Sequence, residues 1–256
     1  MKHNIVTFIA ITIFALSGIV FWETGFVEYV LSAIALLYLA LTAYGSAKIQ
    51  SNYFLTSINY GKRKSVALTF DDGPDPETTP RILATLREKN IKATFFVIGK
   101  KAAAYPGLVQ QIQDEGHIVG NHSFTHHYLI GFFSTQKLKN DLAHCNEVIR
   151  DIIGKTPVFF RPPFGVTNPR YAGVLSQLQL NSIGWSLRSM DTRAKNKYQI
   201  INNVITRLKA RDIILLHDNL RPTADALDDL IEHCLQKGIK IVPLSDLIQK
   251  EPYDHN

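Results

Sequence analysis

The sequence predicts an α/β chain whose parallel strands and covering helices form a distorted (β/α)7-type barrel, preceded by a two-helix transmembrane hairpin. Three observations carry this expectation. Two long apolar runs come first, short β-rich runs then alternate with amphipathic stretches, and the polar residues able to do chemistry follow the strands rather than precede them.

From Asn4 to Trp22 no residue is charged, and from Phe26 to Gly45 the only charge is Glu28. A bilayer core needs about 20 apolar residues in helical form, so spans at 4–22 and 26–45 are each long enough. The first run is too long for a cleaved signal peptide and lacks a small-x-small site followed by polar residues. The chain thereby divides into a membrane anchor at 1–47, a linker at 48–64 and a domain at 65–250 of ordinary single-domain size. Lys2, Lys48, Lys62, Arg63 and Lys64 flank the spans, whereas the connecting Glu23-Thr24-Gly25 holds no Lys or Arg. The expected localisation is the cell membrane, multi-pass, and by the positive-inside rule this charge pattern would place both ends, and hence the domain, in the cytoplasm. Lys2 and Lys48 offset Glu23 and Glu28, so the net charge of +6 belongs to the globular part. Without long basic runs the excess gives no case for a nucleic-acid partner and suits a domain held near anionic lipid. Cys145 and Cys234 fall on the apolar stripes of predicted helices, as buried free thiols do.

In the domain, "SVALTF" (65–70) reads as a strand and is followed by a helix near 79–89 with Pro80 in its first turn. "ATFFVIG" (93–99) precedes a helix opened by Pro106 and closed by Gly116. "HIVGN" (117–121) precedes a loop and a long helix from Ser134 to Gly154, on which Leu138, Leu142, Cys145, Ile149 and Ile152 keep helical spacing. "VFFRPP" (158–163) leads to a helix capped by Asn168 with Pro169 at its first position. "SIGWSL" (182–187) and "DIILLHD" (212–218) each lead to a further helix, and "IKIVPL" (239–244) reads as the last strand. Strict alternation argues for a parallel sheet, and both a barrel and an open doubly wound sheet fit it.

The polar residues favour the barrel. Asp71 and Asp72 follow strand one, His122 and His126 strand three, Arg161 ends strand four, Asp191 follows strand five and His217 ends strand six. Loops after strand carboxyl ends share one rim, where barrel enzymes build their sites. Each residue also has an ordinary reading. Asp-Gly-Pro is turn chemistry, Arg161 could satisfy a structural carboxylate, and His217 could be a satisfied core histidine. His122 and His126, at i and i+4, would share a face if the turn after strand three is helical, which suits two imidazoles on one metal. His127 would point elsewhere, and His117 sits before its strand.

With these residues placed, the chain resembles the polysaccharide deacetylase family, carbohydrate esterase family 4, also called the NodB-homology domain. "TFDDGP", "HSFTH", "RPPFG" and "LLHD" look like its first, second, third and fifth motifs, over about Ser65 to Leu247. The resemblance implies a membrane-anchored, metal-dependent hydrolase that removes N-acetyl groups from amino sugars of a polysaccharide, peptidoglycan or lipid-linked glycan. It implies that Asp72, His122 and His126 bind one divalent metal, zinc first among the candidates. Asp71 would then be the general base, with Arg161 paired to it. His217 would protonate the departing amine, with Asp191 holding the imidazole. Pro162, Phe164 and Leu216 would meet the substrate, Phe164 through its backbone N–H and Leu216 at the acyl pocket.

The fourth motif departs from the family pattern: Asp191 is followed by Thr192 where the family commonly has Trp, and an upstream acidic position is Arg188. O-acetyl esterase or deformylase activity therefore stays open beside N-deacetylation. A glycosidase fits poorly, because its carboxylates flank the scissile bond from different elements whereas Asp71 and Asp72 adjoin. From another class, a catalytically retired carbohydrate-binding membrane protein would need neither base nor ligands. The family mostly acts outside the cell, while the charge pattern points inward to lipid-linked sugars.

Overall fold

The computed structural model describes residues 2–254. The two apolar runs are helices α1 (Lys2–Val20) and α2 (Val27–Ala47), packed against each other with Thr7 Oγ1 2.9 Å from the Tyr38 hydroxyl. Their common base touches the rest of the chain. Lys2 Nζ donates to the Ser51 carbonyl, Ser46 Oγ donates to the Thr167 carbonyl, and the Thr167 N–H returns a bond to Ser46. Residues 48–64 run over the domain, with Ile49, Phe54 and Leu55 buried.

Seven strands follow, interleaved with helices: β1 (Ala67–Asp71), α3 (Thr78–Glu88), β2 (Thr94–Val97), α4 (Gly99–Ala104), α5 (Pro106–Asp114), β3 (Ile118–Asn121), α6 (Thr135–Ile153), β4 (Phe159–Phe160), α7 (Pro169–Gln177), β5 (Asn181–Ser182), β6 (Leu187–Arg188), α8 (Lys197–Ile205), β7 (Ile213–His217), α9 (Arg221–Gln236) and α10 (Leu244–Ile248). All neighbouring strands are parallel, in the order β5-β4-β3-β2-β1-β7-β6. Asn168 caps its helix as read from the sequence, accepting from Arg170 N–H, and the long helix begins and ends where expected, with the Ser134 side chain accepting from Lys137 N–H and Gly154 ending α6 in the left-handed region.

The sheet curls because one stretch serves both of its edges. Residues 182–187 read as a single strand, and the structure splits them. β5 pairs with β4 at one edge, β6 pairs with β7 at the other, and only Ile183 to Ser186 lie between. Ile183 N–H still donates to Phe160, and Ser186 N–H to Ile213, so the stretch changes partner as it crosses. A second difference lies at 239–244, where the expected strand makes only one parallel bridge, Val66 to Ile241, before the short helix α10 begins. Pro243, next to α10 and without an N–H to donate, stops any ladder there.

Period-two alternation along the strands separates two of the hydrophobic cores, and a third lies where Phe160 of β4 meets Leu138, Leu142 and Tyr171 of α6 and α7. Ala67, Phe96, Ile213 and Leu215 face the inside of the curl, with Ile49 and Leu247 packed among them. Leu68, Phe70, Phe95, Ile214 and Leu216 face outward under α3, α5, α6, α8 and α9.

Candidate active site

The strand carboxyl ends converge as the alternation implied, and the first of them resolves the adjacent carboxylates. Asp71 is the last residue of β1 and is buried, while Asp72 turns into the left-handed region at φ 73°. That reversal sends the two side chains to different partners. Asp71 Oδ1 accepts from Arg161 Nη1 at 2.7 Å, and Asp72 Oδ1 lies 3.4 Å from His122 Nε2 and 3.2 Å from His126 Nε2. Gly73 permits the turn for a steric reason, since a Cβ there would lie 2.0 Å from Asp218 Oδ2. Asp218 is buried, and burial pushes its carboxyl up to about 7 although the Thr79 hydroxyl donates to it.

Arg161 is fully buried, which demands that every donor be satisfied. Besides Asp71 it donates to Thr69 Oγ1, to the Ile183 carbonyl and to the Gly184 carbonyl, and its guanidinium lies 4.3 Å above the Phe96 ring. The guanidinium therefore ties β1 to the stretch that crosses between the sheet edges.

His122 and His126 meet by a route different from the expected helical turn. Residues 122–127, straight after β3, are not helical. Ser123 and His126 both adopt positive φ, at 66° and 46°, and Ser123 Oγ accepts the His126 N–H. Asp141 on α6 holds the loop by accepting from the N–H groups of Phe124 and Thr125 and from the Thr125 hydroxyl. Left-handed backbone at non-glycine residues costs about 1 kcal/mol or more each, so these bonds hold the loop against its own preference. The His122 Nδ1–H donates to the Arg161 carbonyl at 2.8 Å, which fixes the tautomer and leaves Nε2 with its lone pair toward Asp72.

These three side chains suit a metal. Their ligand atoms lie within 4.8 Å of one another. Burial, with His122 adding to it, pushes His126 down to about 4, so it stays neutral and able to donate a lone pair at pH 7. Burial alone would raise the Asp72 carboxyl, but the His122 hydrogen bond and the neighbouring imidazoles outweigh it and hold the group well below the usual carboxylate range. Two imidazoles and one carboxylate form a set that leaves coordination positions open, and the residues fit the group that the resemblance implied.

Across the cavity His217 Nδ1 lies 2.8 Å from Asp191 Oδ1. Asp191 also accepts from the N–H groups of His217 and Thr192 and from the Thr223 hydroxyl. Burial lowers the His217 pKa, but the Asp191 bond and charge outweigh it, and the imidazole is pushed up to about 8. The opening between these groups has a volume of 380 Å³, and Phe164, Trp185 and Leu215 give it an apolar wall.

Of the expected substrate residues, Phe164 lines this cavity, its ring 4.6 Å from His126 and its backbone at φ 60°. Pro162 is buried and its carbonyl accepts the Gly165 N–H, so it shapes the loop without lining the opening. Leu216 lies elsewhere: it faces the outer core, and Leu215, one residue earlier on β7, lines the cavity in its place. Leu216→Ala and Leu215→Ala should each cost about 2–5 kcal/mol in denaturant unfolding. Only Leu215→Ala also changes the lining of the cavity.

The aromatic residue absent at Thr192 enters from another element. Trp185 sits on the crossing stretch and packs so closely on Gly165 that a Cβ there would lie 2.3 Å from its ring. The signal was present in "SIGWSL" as a large aromatic two places from Ile183. Thr223 and Asp141 look like ordinary helix residues in sequence, and nothing local marks them.

A sequence profile of the polysaccharide deacetylase family matches residues 59–183. A peptidoglycan-N-acetylglucosamine deacetylase of Bacillus cereus is 34% identical over 191 residues, covering 73% of this chain and 69% of the relative. A solved peptidoglycan N-acetylglucosamine deacetylase, in complex with 4-naphthalen-1-yl-N-oxidanyl-benzamide, superposes with a TM-score of 0.73 at 32% identity, covering 77% of this chain and 94% of that one. A carbohydrate esterase family 4 pseudoenzyme from Bacillus anthracis superposes with a TM-score of 0.71 at 26% identity, covering 75% and 68%.

Proposed function

The chain belongs to the polysaccharide deacetylase family, and from that premise we propose that it is a metal-dependent hydrolase removing N-acetyl groups from the amino sugars of a glycan. The observation that carries this is the division of labour between Asp71 and Asp72, one paired with Arg161 and the other with two imidazoles. A catalytically retired protein on the same fold, as the pseudoenzyme is, has no use for that division.

One divalent ion held by Asp72, His122 and His126, zinc in the simplest reading, would polarise the acyl carbonyl and acidify the attacking water. Asp71 takes the proton of that water. Its Oδ1 is engaged by Arg161, so Oδ2 is the oxygen left for the task, and the rigid pairing fixes where it points. His217 donates a proton from Nε2 to the departing nitrogen, because Nδ1–H is committed to Asp191. Phe164, Trp185 and Leu215 enclose the acyl group and exclude water beyond the one that attacks. Acyl choice rests on these three, so ester and formyl substrates belong in the same assay.

Acetate release from chitooligosaccharides and from peptidoglycan fragments tests the reading. The activity should disappear on chelation and return with added zinc. Acetate release unaffected by chelation, or none from any acetylated glycan, would end it.

The His217–Asp191 pair makes a second prediction, on pH. The acid role needs protonated His217, so activity should fall as pH rises through about 8. Asp191→Asn removes the group that raises this pKa and leaves the burial that lowers it. The alkaline limb of kcat/KM should therefore move to lower pH by more than one unit. An unmoved limb would assign it to another group.

We also propose that 1–47 is a bilayer anchor, 48–64 its connection and 65–250 the catalytic domain. α1 and α2 have mean hydropathies of 1.9 and 1.7, and of their described residues only Gly45 is fully buried, with Phe8, Ile19 and Leu36 at least two-thirds exposed. Both helix ends at the domain carry lysine, which by the positive-inside rule favours the cytoplasmic face.

A further inference from the structure

A second cavity adjoins the catalytic one. It has a volume of 660 Å³ and shares Trp185 and Arg188 with the catalytic cavity, while its opposite side is the base of the helical hairpin, with Lys2, Tyr44 and Lys48. Its four charged lining residues, Lys2, Lys48, Arg188 and Arg207, are all basic. Among the described residues none of the four makes a salt bridge. Lys2 and Arg207 donate only to backbone carbonyls, of Ser51, Asn203 and Arg188, and Arg188 Nε is buried without a hydrogen-bond partner.

Lys48 Nζ lies over the Tyr44 ring, 5.3 Å from its centre. A buried guanidinium nitrogen without an acceptor is costly, and cations without a carboxylate partner round one hollow create a strong positive potential there. The matching ligand has several acceptor oxygens and more than one negative charge, as a phosphate or pyrophosphate does. The position narrows this further. On one side the ligand is a wall away from the amino-sugar site, and on the other it meets the end of two apolar helices.

We propose that this cavity binds the phosphate or pyrophosphate that joins an amino-sugar glycan to a membrane lipid, with the sugar reaching the catalytic cavity past Trp185 and the lipid chain lying along α1 and α2. The inference rests on the deacetylase and anchor readings above, and it specifies their substrate as lipid-linked and anionic rather than a neutral polymer.

The test uses the full chain in phosphatidylcholine nanodiscs with two probes, methyl N,N′-diacetylchitobioside and the farnesyl ester of N,N′-diacetylchitobiose 1-pyrophosphate. Wild type should favour the ester in kcat/KM by roughly tenfold or more, the scale expected of two or more charge contacts. Lys2→Gln/Lys48→Gln, which alters no residue of the catalytic cavity, should lose the preference and keep its rate on the neutral probe. Inorganic pyrophosphate should compete with the ester alone. Equal kcat/KM on the two probes, or a preference that survives the double substitution, would overturn the proposal. So would a preference that is lost when phosphatidylglycerol replaces phosphatidylcholine and is unmoved by inorganic pyrophosphate, because the cations would then be holding bilayer headgroups. Calorimetric binding of the ester needs no turnover. If neither probe is deacetylated, the proposed activity has failed, and tighter binding by wild type than by the double variant still decides the phosphate site.

Discussion

Asp71→Asn should slow acetate release by about 10³-fold, within the range ascribed to a positioned general base. The substitution is close to isosteric. Asn can still offer Oδ1 to Arg161, so the loop and the three ligand side chains keep their places. What is lost is the basic oxygen, since the second position becomes an N–H donor that cannot take a proton. Zinc affinity, measured by calorimetry, should therefore remain close to that of wild type while turnover collapses. His122→Ala should do the reverse, losing both zinc and turnover. Should Asp71→Asn retain a tenth of the activity or more, another group is the base, and the roles of the two carboxylates must be reassigned.

Arg161→Met should be the most destabilising single change in the site, at about 3–5 kcal/mol in denaturant unfolding. It leaves the buried Asp71 carboxylate without its cation and strips partners from Thr69 Oγ1 and from two carbonyls on the crossing stretch. Adding Asp71→Asn to it removes the uncompensated charge. The double variant should regain part of the stability and remain inactive. If it is no more stable than Arg161→Met, the arginine acts through packing on Phe96 and its carbonyl bonds rather than through charge.

Much of this arrangement could be read from residue order. Alternation placed the strands, and the position of Asp71, Arg161, Asp191 and His217 after them placed the rim, because a parallel sheet sends all its carboxyl ends one way. Where reading failed, the cause was a property that periodicity does not carry. His122 and His126 meet through two left-handed residues and a bond from Asp141, and no pattern in "HSFTHH" distinguishes that from a helical turn. Leu216 and Leu215 differ by one step of the strand, and a one-residue shift exchanges core and cavity. "SIGWSL" has the composition of one strand, yet the curl gives its two ends different neighbours. Ile49, Phe54 and Leu55 are scattered among polar residues, so their burial emerges only in three dimensions.

The crossing stretch has a practical consequence. Its carbonyls at Ile183 and Gly184 hold Arg161, its Trp185 walls the cavity, and the Trp185 carbonyl accepts from Gln50, just beyond the hairpin. Cutting the chain before residue 48 to obtain a convenient soluble fragment would also remove Ser46 from Thr167 and His3 from Tyr53 and Phe54. Such a fragment loses part of the scaffold behind its own active-site wall, so a low specific activity measured on it would describe the truncation rather than the enzyme.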